Sequence, residues 1–522
     1  MAEKNRREFL ANGGAAIGAG MTLSPSWLRA HQSRKIQLET DRAYDPSQIP
    51  SYSGKHQDIY DHIDEHRDEH VGKIQDYLRQ RSISAQNIGM RECAEMTASY
   101  LHEIGASDAK LVPTRGHPVV WGSIDSGASK TIMNYGMYDV QPVNPEEWSS
   151  PPFEARLVDL PPFGKSIIAR GALNTKGPLR AFLNACESII AVRGKLPVNM
   201  LFGIEGEEEM GSLHYPDFIE EYREPISKAD GVIFAQCMQD SRGKVTLWLG
   251  FKGIVYLELE ASGERWGRGP QERGIHSMYK AVVDSPVWRL VRALGTLVDE
   301  SNNQVTIEGY EDAIAPPPIE DQELVNRLVA EWDESVWKEE LGVKHFIDDP
   351  DRKELVLKYL YDTTFNLAGI WGGYTGPGPK TILPMRATAK IDSRLVPDQT
   401  PEKAAELVKK HLEAEGYPDI DVRVLQGYPG SKTSVKTPLI QSTLSVYKKY
   451  GVEPVIWPHV AGSAPFYVFS ELKLPFSYMG IGHGHRQHAP DEYLVVDGNG
   501  VVADLMDAEK AWVDTLFALS ES

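Results

Sequence analysis

The sequence predicts an α/β fold with a mostly parallel sheet, interrupted by a smaller α+β domain. Short apolar strands at Thr131–Tyr135, Val198–Ile204 and Val232–Ala235 alternate with helical segments, one of which covers 178–192. Alternation on this scale favours a parallel sheet. Between 245 and 428 the order changes to two strands and a helix, followed by a strand, a helix and a strand. That change predicts a separate inserted domain.

Local signals support the elements of this insertion. Residues 387–395 are expected to form a strand, and the helix after it has Thr400 as its N-cap and Pro401 at its first position. Gly416 marks the end of that helix. The domain prediction is therefore one larger domain in two pieces, 52–244 and 429–519, around an insertion at 245–428.

Composition excludes several classes of protein. The 522 residues include 55 Lys+Arg and 74 Asp+Glu, which gives a formal charge of −19. An acidic balance of this size argues against non-specific binding to nucleic acid or to an anionic membrane surface. Only three cysteines occur, far apart in the chain, so a disulfide scaffold and a Cys-rich zinc module are excluded, although one bridge remains possible.

Residues 1–30 are predicted to be a targeting signal. Arg6-Arg7 precede Phe9-Leu10, and an uncharged stretch rich in Gly and Ala follows at 11–23. This order is typical of a twin-arginine export signal, which predicts a periplasmic or exported protein. The apolar stretch is shorter than the roughly 20 residues of a membrane span, so no integral span is expected. A chance Arg-Arg before a disordered tail is the alternative.

A helix is predicted at 58–81, because Ile59, Ile63 and other apolar residues repeat at helical spacing. His62, His66 and His70 share one face of it. Acidic residues lie between these histidines, so we interpret the stripe as a solvated face rather than as a metal site.

The chemistry is concentrated in polar clusters that follow the strands. The sequence contains no G-x-S-x-G, Walker, G-x-G-x-x-G or H-E-x-x-H motif. Open α/β sheets place their sites at the carboxyl ends of strands. The clusters, in chain order, are YGMYDVQPV (135–143), ARGALNTKGP (169–178), GIEGEEEMGS (203–212), ADGVIFAQ (229–236), GIHSM (274–278), SRLVPDQTPEKA (393–404), AGSAP (461–465) and QHAPDEY (487–493).

In this order and spacing the clusters resemble the M20 metallopeptidases, especially their carnosinase-like dipeptidase branch. The resemblance runs from about residue 56 to 519. It implies a zinc-peptidase-like catalytic domain interrupted by a smaller lid domain that usually forms a homodimer. It also implies hydrolysis of a peptide or amide bond beside a free carboxylate. In the family two divalent ions share a bridging water and a glutamate is the general base.

The catalytic positions of the family are partly kept. Asp139 matches the aspartate that orients a ligand, and Glu208 matches the general base. Glu209 and His488 match two metal ligands. Three other ligand positions are substituted, by Met137, Asn174 and Gln236.

These substitutions remove negative charge where the resemblance would place cations. Tight zinc binding is therefore not expected, and the site is predicted to hold no metal or one weakly bound divalent ion. Asn174 and Gln236 are expected to hydrogen-bond to Asp139, Glu208 or Glu209. The clustering of carboxylates predicts a raised pKa for Glu208. Recruitment of an ion by His483 and His485 is the less favoured alternative to a Gly/His loop.

The substrate side of the resemblance is better kept. His276 matches a lid histidine that reaches the partner's active site, where it helps to stabilise the oxyanion. Arg394 matches the lid arginine that binds a substrate carboxylate. Gly462 and Ser463 match a substrate loop, and Asn366 lies in a less specific matching stretch.

Three functions remain open from the sequence. The first is an M20-like hydrolase of a small or peptide substrate bearing a carboxylate, with weak or no metal dependence. The second is a metal-independent lyase or isomerase that uses Glu208 as acid/base. The third is a non-catalytic binding protein. Without a Lewis acid the first loses several kcal/mol of charge stabilisation, whereas retention of Glu208, Asp139 and His276 argues against the third.

Overall fold

A computed structural model describes residues 48–299 and 304–522. The predicted signal at 1–30 lies outside the described residues. Within the described ranges, no helix combines the length and apolarity required to cross a bilayer. The three cysteines (Cys93, Cys186 and Cys237) are buried and carry free thiols.

The fold is built around one large mixed sheet with smaller sheets beside it. The strands are β1 (Lys110–Val112), β2 (Val119–Ile124), β3 (Thr131–Met137), β4 (Arg156–Asp159), β5 (Lys165–Ile168), β6 (Asn199–Glu205), β7 (Gly231–Ala235), β8 (Val245–Trp248), β9 (Gly250–Phe251), β10 (Gly253–Ser262), β11 (Ile275–His276), β12 (Asn366–Gly372), β13 (Ile382–Leu383), β14 (Arg386–Leu395), β15 (Asp421–Tyr428), β16 (Ser431–Lys432), β17 (Pro454–Trp457), β18 (Phe476–Met479), β19 (Gly484–His485) and β20 (Tyr493–Val495).

Helices cover both faces of the large sheet and one face of the second sheet. They are α1 (Gln57–Glu65), α2 (Arg67–Arg79), α3 (Met90–Glu103), α4 (Lys176–Arg193), α5 (Tyr215–Glu221), α6 (Arg223–Ile226), α7 (Gly263–Trp266), α8 (Pro286–Leu294), α9 (Ile319–Glu331), α10 (Glu334–Leu341), α11 (Arg352–Tyr361), α12 (Pro401–Ala414), α13 (Pro438–Lys449), α14 (Tyr467–Glu471) and α15 (Leu505–Ser520). Short 3-10 helices lie at Ser84–Gln86, Pro145–Glu147, Glu208–Met210 and Ser277–Ala281.

The central sheet has the order β1-β2-β6-β3-β7-β18-β8-β17. The four strands β6, β3, β7 and β18 run parallel to one another, and antiparallel pairs flank them. The predicted α/β class with a mostly parallel sheet is confirmed. Because the ends of parallel strands meet at one edge, the segments that follow Met137, Glu205 and Ala235 emerge together.

The two faces of the central sheet carry different cores. On one face, helices α1 to α4 and α15 bury aliphatic residues together with Trp512 and Phe182. On the other face the core is strongly aromatic and includes Tyr135, Phe234 and Phe466. Buried aromatic side chains of this kind bury large apolar areas and so stabilise the packing of the strands.

The predicted helix at 58–81 is two helices, α1 and α2, which meet at His66. The carbonyl oxygen of His62 accepts the backbone N–H of His66 at 3.1 Å and also lies 2.8 Å from the His66 ring Nδ1. The stripe is also not fully solvated. The His70 ring is buried, with Nδ1 2.5 Å from a carboxylate oxygen of Glu509, so the interpretation of a solvated face is wrong for His70.

The second sheet is antiparallel, with the order β12-β14-β10-β15. Helices α8 and α12 cover one face of it around the apolar cluster of Val255, Leu257 and neighbouring residues. In the described ranges, the helices of this apolar cluster all lie on that one face, and we call the opposite face of the sheet the open face. The predicted cap of α12 is confirmed, because the Thr400 hydroxyl accepts the backbone N–H of Lys403.

The boundary between the two sheets differs from the sequence prediction. Strand β8 lies in the central sheet, and the second sheet begins with β10 at Gly253. Helix α9 also packs beside β17 of the central sheet. The sequence predicted β8 as a strand, but no local pattern indicated that it pairs with β17 and β18. The division into domains therefore stays a prediction.

A polar junction links the central sheet to the second sheet. The buried ammonium of Lys252, between β9 and β10, donates to the backbone oxygens of Tyr359 (2.8 Å) and Asp362 (2.6 Å). Burial lowers the pKa of Lys252 to about 8. The ring Nε2 of His459 bonds to the carbonyl oxygen of Leu360. The two side chains thus satisfy carbonyl groups at the end of α11.

His459 makes the stability of the fold sensitive to acid. Burial lowers its pKa to about 3, from 6.5. Its neutral form is favoured in the fold, so this stability is present above pH 6.5 and is lost as the pH falls towards 3. We expect a loss of up to about 1.4 kcal/mol per pH unit across that window.

The variant His459→Gln keeps a donor for Leu360 and removes the titration. In urea unfolding between pH 7 and pH 5, the stability advantage of the wild type over this variant should shrink as the pH falls. Parallel pH profiles for the two proteins would contradict the assignment.

Candidate active site

Asp139 organises the acidic loop at the carboxyl edge of the central sheet. It follows β3, is fully buried, and accepts the backbone N–H groups of Glu208 (3.2 Å) and Glu209 (3.1 Å). These residues begin the short 3-10 helix after β6. A carboxylate that accepts successive backbone donors fixes the loop direction. The structure therefore brings together Asp139, Glu208 and Glu209, as the sequence predicted.

Asn174 joins Glu209 to His488. Its amide nitrogen lies 2.9 Å from Glu209 Oε1 and 3.0 Å from His488 Nε2. His488 Nε2 is also 3.1 Å from Glu209 Oε2. The amide donates to Glu209 Oε1, and the same His488 nitrogen lies within hydrogen-bond distance of both the amide and Glu209 Oε2. A neutral Nε2 accepts from the amide, whereas a protonated Nε2 donates to Glu209. The Asn174 amide therefore lies at the centre of this polar cluster. The expected hydrogen bond between Asn174 and Glu209 is confirmed.

The second amide at Glu209 comes from Gln141 rather than from Gln236. The Gln141 amide nitrogen donates to Glu209 Oε2 at 2.9 Å. Gln236 is buried at the end of β7, and within the described part of the chain its side chain makes no hydrogen bond to Asp139, Glu208 or Glu209. The prediction for Gln236 is wrong. Gln141 was missed because no motif marks it, although it lies in the polar cluster at 135–143.

Glu492 positions Asn174 by accepting a hydrogen bond from its backbone N–H. It is fully buried, and its carboxylate accepts from Arg170 (2.6 Å) and from the backbone N–H groups of Gly171 (3.1 Å), Leu173 (2.8 Å) and Asn174 (2.8 Å). Both residues lie in polar clusters of the sequence, at 169–178 and 487–493, but no motif marks Arg170 or Glu492 as functional. The carboxylate holds the whole 170–174 turn against the sheet edge.

We expect Glu492→Gln to lower the free energy of unfolding by about 3 kcal/mol, because it leaves the buried Arg170 guanidinium without its charged partner. The neighbouring Asp491→Asn is a matched control. Asp491 is partly exposed, and its carboxylate bonds to Ser149 and Arg486 alone among the residues that the structure describes, so its loss should cost about 1 kcal/mol or less. Equal losses in denaturant unfolding would contradict the role of Glu492.

Several carboxyl groups in the site have raised pKa values. Burial raises the pKa of Asp139 to about 7, with a further contribution from the charge of Glu209. Burial raises the pKa of Glu205 to about 8. The pKa of Glu208 lies well above its usual range because of burial and the charges of Glu209, Asp139 and Glu205. The hydrogen bond to Glu209 raises the pKa of His488. The predicted direction for Glu208 agrees with these interactions.

The donor set does not fit a two-ion zinc site. Met137 is fully buried in the aromatic core. The Asn174 amide lies against the two remaining ligand residues, because it donates to Glu209 Oε1 and is 3.0 Å from His488 Nε2. Zinc sites use Cys, His, Asp or Glu side chains. Across residues 48–299 and 304–522, no group of three or more such side chains is arranged to hold a metal ion.

The nearby His483 has a structural role. Its ring is buried, with Nδ1 2.8 Å from the carbonyl oxygen of Gln239 and Nε2 3.2 Å from the Tyr493 hydroxyl. Both ring nitrogens are therefore engaged within the fold.

The predicted substrate residues lie on the second sheet and at its junction. Arg394 is near the end of β14, half-buried, and Asn366 at the start of β12 donates to Asp392 at 2.7 Å. In the loop after β17, the Gly462 carbonyl accepts from the backbone of Lys252, and Ser463 donates to the carbonyl oxygen of Gly253. This loop is thus bound to the strand that leads into the second sheet.

His276 is not gathered into the acidic cluster of its own chain. It lies in β11, its ring is exposed, and its nitrogens contact the Met278 backbone N–H (3.1 Å) and the Thr381 hydroxyl (3.1 Å).

The comparison with known proteins decides the family. A model of the peptidase family M20/M25/M40 matches residues 134–517. The chain belongs to this family. The predicted enzyme class, an M20-type peptidase or amidohydrolase, is confirmed with it.

Dipeptidases are among the relatives of this M20 peptidase. It is 28% identical over 387 residues to "Beta-Ala-His dipeptidase" of Rattus norvegicus, which covers 70% of this chain and 75% of the relative. It is 28% identical over 373 residues to "Cys-Gly metallodipeptidase dug1" of Schizosaccharomyces pombe, covering 68% and 75%.

Solved structures agree on the fold. The M20 family metallo-carboxypeptidase Sso-CP2 from Sulfolobus solfataricus is similar with a TM-score of 0.75 and 32% identity, over 87% of this chain and 98% of that chain. The dipeptidase Dug1p from Saccharomyces cerevisiae has a TM-score of 0.72 at 23% identity, covering 89% and 98%.

Proposed function

We propose that this M20 peptidase hydrolyses a peptide or amide bond in a small substrate with a free carboxylate, with weak or no dependence on a metal ion. The observation that carries the metal-independent part is the Asn174 amide between Glu209 and His488. The amide donates a hydrogen bond to the Glu209 carboxylate and contacts the His488 imidazole, so it stabilises this carboxylate where a cation would otherwise do so.

Glu208 is the acid/base residue of the proposal. Its backbone is fixed by Asp139, and its carboxyl lies within electrostatic range of Glu209, Asp139 and Glu205. A carboxylate in this position takes a proton from the attacking water and returns it to the departing amine. The Glu209 carboxylate accepts hydrogen bonds from the amides of Asn174 and Gln141. We therefore assign proton transfer to Glu208.

Arg394 is the residue proposed to bind the substrate carboxylate. It lies on the open face of the second sheet, and its planar guanidinium suits a bidentate pair with a carboxylate. Dipeptidase relatives support a substrate of this kind.

The function is tested with β-Ala-His, Cys-Gly and their C-terminal amides as probes. We expect hydrolysis of the free acids, a kcat/KM at least about tenfold lower for the amides, and the same loss for Arg394→Lys acting on the free acids. Arg386→Lys, at the far end of β14 beside Glu260, is the matched control and should keep wild-type rates. Equal rates for acids and amides, or no hydrolysis of either, would contradict the proposal.

A homodimer through the second sheet is also proposed. Strand β12 is an edge strand, and its side chains Leu367, Ile370 and Trp371 are between 44% and 47% exposed. Exposed apolar edges of this kind invite pairing. Sedimentation should give a dimer for the wild type and a monomer for Ile370→Glu; a monomeric wild type would contradict this assembly.

Export by the twin-arginine route is proposed for residues 1–30, on the sequence order described above. Replacement of Arg6 and Arg7 by lysine should retain the protein in the cytoplasm of a host with this pathway. Unchanged export after the replacement would contradict it.

A further inference from the structure

Arg394 and Tyr428 lie in one row across the second sheet. Ile254 of β10 pairs with Arg394 of β14 on one side and with Tyr428 of β15 on the other. Directly paired residues project to the same face of a sheet. The next residue, Val255, lies in the apolar cluster beneath the helices, so the row of Ile254 faces the opposite way. Arg394 and Tyr428 therefore share the open face, two strand spacings or about 10 Å apart.

The open face lies over the acidic loop of the central sheet. Gln426 precedes Tyr428 by two residues on the same strand, which places it on the same face. Its amide nitrogen donates to the carbonyl oxygen of Gly211 at 3.0 Å. Gly211 directly follows the 3-10 helix that begins with Glu208. The contact sets the row of Arg394 and Tyr428 above the proposed acid/base residue.

The electrostatics of Tyr428 agree with this placement. Burial raises the pKa of its phenol, Arg394 lowers it, and Glu208 raises it further. The phenol is therefore within range of both charged groups, and the net increase keeps it protonated at neutral pH.

The Tyr428 hydroxyl is available to a ligand. Its ring stacks on the Tyr467 ring with centroids 5.5 Å apart and planes 10° apart. Among the residues that the structure describes, its hydroxyl has no hydrogen-bond partner. By contrast, the hydroxyl of Tyr135 in β3 donates to Glu205 at 2.7 Å. Ring stacking fixes the position of Tyr428 while its donor stays free.

We propose that the Tyr428 hydroxyl donates a hydrogen bond to the scissile carbonyl oxygen and stabilises the oxyanion that develops there. This step rests on the proposed function. A substrate whose carboxylate is bound by Arg394 and whose amide is attacked by water at Glu208 extends from the row of Arg394 and Tyr428 towards the acidic loop, which Gln426 of the same strand contacts. The phenol keeps its proton throughout, and the negative charge on the oxygen is lost again when the amine departs.

The test compares Tyr428→Phe with Tyr467→Phe, which removes a hydroxyl from the stacked partner ring. With β-Ala-His and Cys-Gly as probes, we expect kcat of Tyr428→Phe to fall about 100-fold with KM nearly unchanged. Tyr467→Phe should retain both constants. Equal kcat values for the two variants would overturn the role of Tyr428 and leave the proposed hydrolysis intact.

Binding of a phosphinate analogue of β-Ala-His gives a readout that needs no turnover. Calorimetry should show that Tyr428→Phe weakens binding by at least about tenfold, while Tyr467→Phe binds as the wild type does. Equal affinities would again overturn the role of Tyr428. A wild type that neither hydrolyses the dipeptides nor binds the analogue would contradict the proposed function, and Tyr428 with it.

Discussion

Glu208→Gln is expected to lower kcat about 1,000-fold, within the range that a general acid/base residue contributes. Glutamine preserves the shape of the side chain and the backbone contact with Asp139, so KM and the fold should change little. What is lost is the ability to take a proton from water and return it to the amine. Steady-state kinetics with β-Ala-His or Cys-Gly measure the effect.

Glu207→Gln provides the matched control. Glu207 precedes Glu208, but its carboxylate lies 2.8 Å from Nδ1 of His214 and takes no part in the cluster around Glu209. The Glu207→Gln variant should therefore keep kcat near the wild-type value. If Glu208→Gln and Glu207→Gln had equal kcat values, Glu208 would not be the acid/base residue.

Asn174→Asp is the second substitution with a large expected effect. It replaces the amide donor by a carboxylate within 2.9 Å of a Glu209 oxygen and brings two like charges together. We expect the free energy of unfolding in the presence of a chelator to fall by about 2–3 kcal/mol, because hydrogen bonds to a charged group are lost and repulsion replaces them. Added zinc should restore part of this loss.

The control for Asn174→Asp is Asn366→Asp. Asn366 also donates its amide to a carboxylate, Asp392, at 2.7 Å, but on an exposed strand. Solvent screens that pair, so the same change should cost about 1 kcal/mol or less and should not respond to zinc. An Asn174→Asp protein as stable as the wild type without metal would show that the amide does not replace a cation.

The sequence predicted elements whose signals are local. Strands β3, β6 and β7 are short apolar runs, and α12 begins at a Thr-Pro cap, so each was located close to its observed bounds. The break between α1 and α2 was missed, because the apolar spacing continues through His66. The position of β8 in the central sheet was also missed, since a strand pattern does not specify its neighbour.

The site was predictable only where a motif marks it. Asp139, Glu208, Glu209, Asn174 and His488 come together as the family pattern implied. The pair Arg170–Glu492 joins residues 322 positions apart in the chain, and no local spacing announces such a contact. Gln141 was missed for a related reason. Its bond to Glu209 exists only because the segment after β3 turns back over the acidic loop.

Metal content measured together with activity tests the central claim most directly. The protein is purified without added metal, analysed for zinc and other divalent ions, and assayed with β-Ala-His and Cys-Gly before and after chelation. The hydrogen-bonded amide at Asn174 predicts a substoichiometric metal content and turnover that survives chelation. Stoichiometric zinc, with activity that a chelator abolishes and zinc restores, would contradict a metal-independent site.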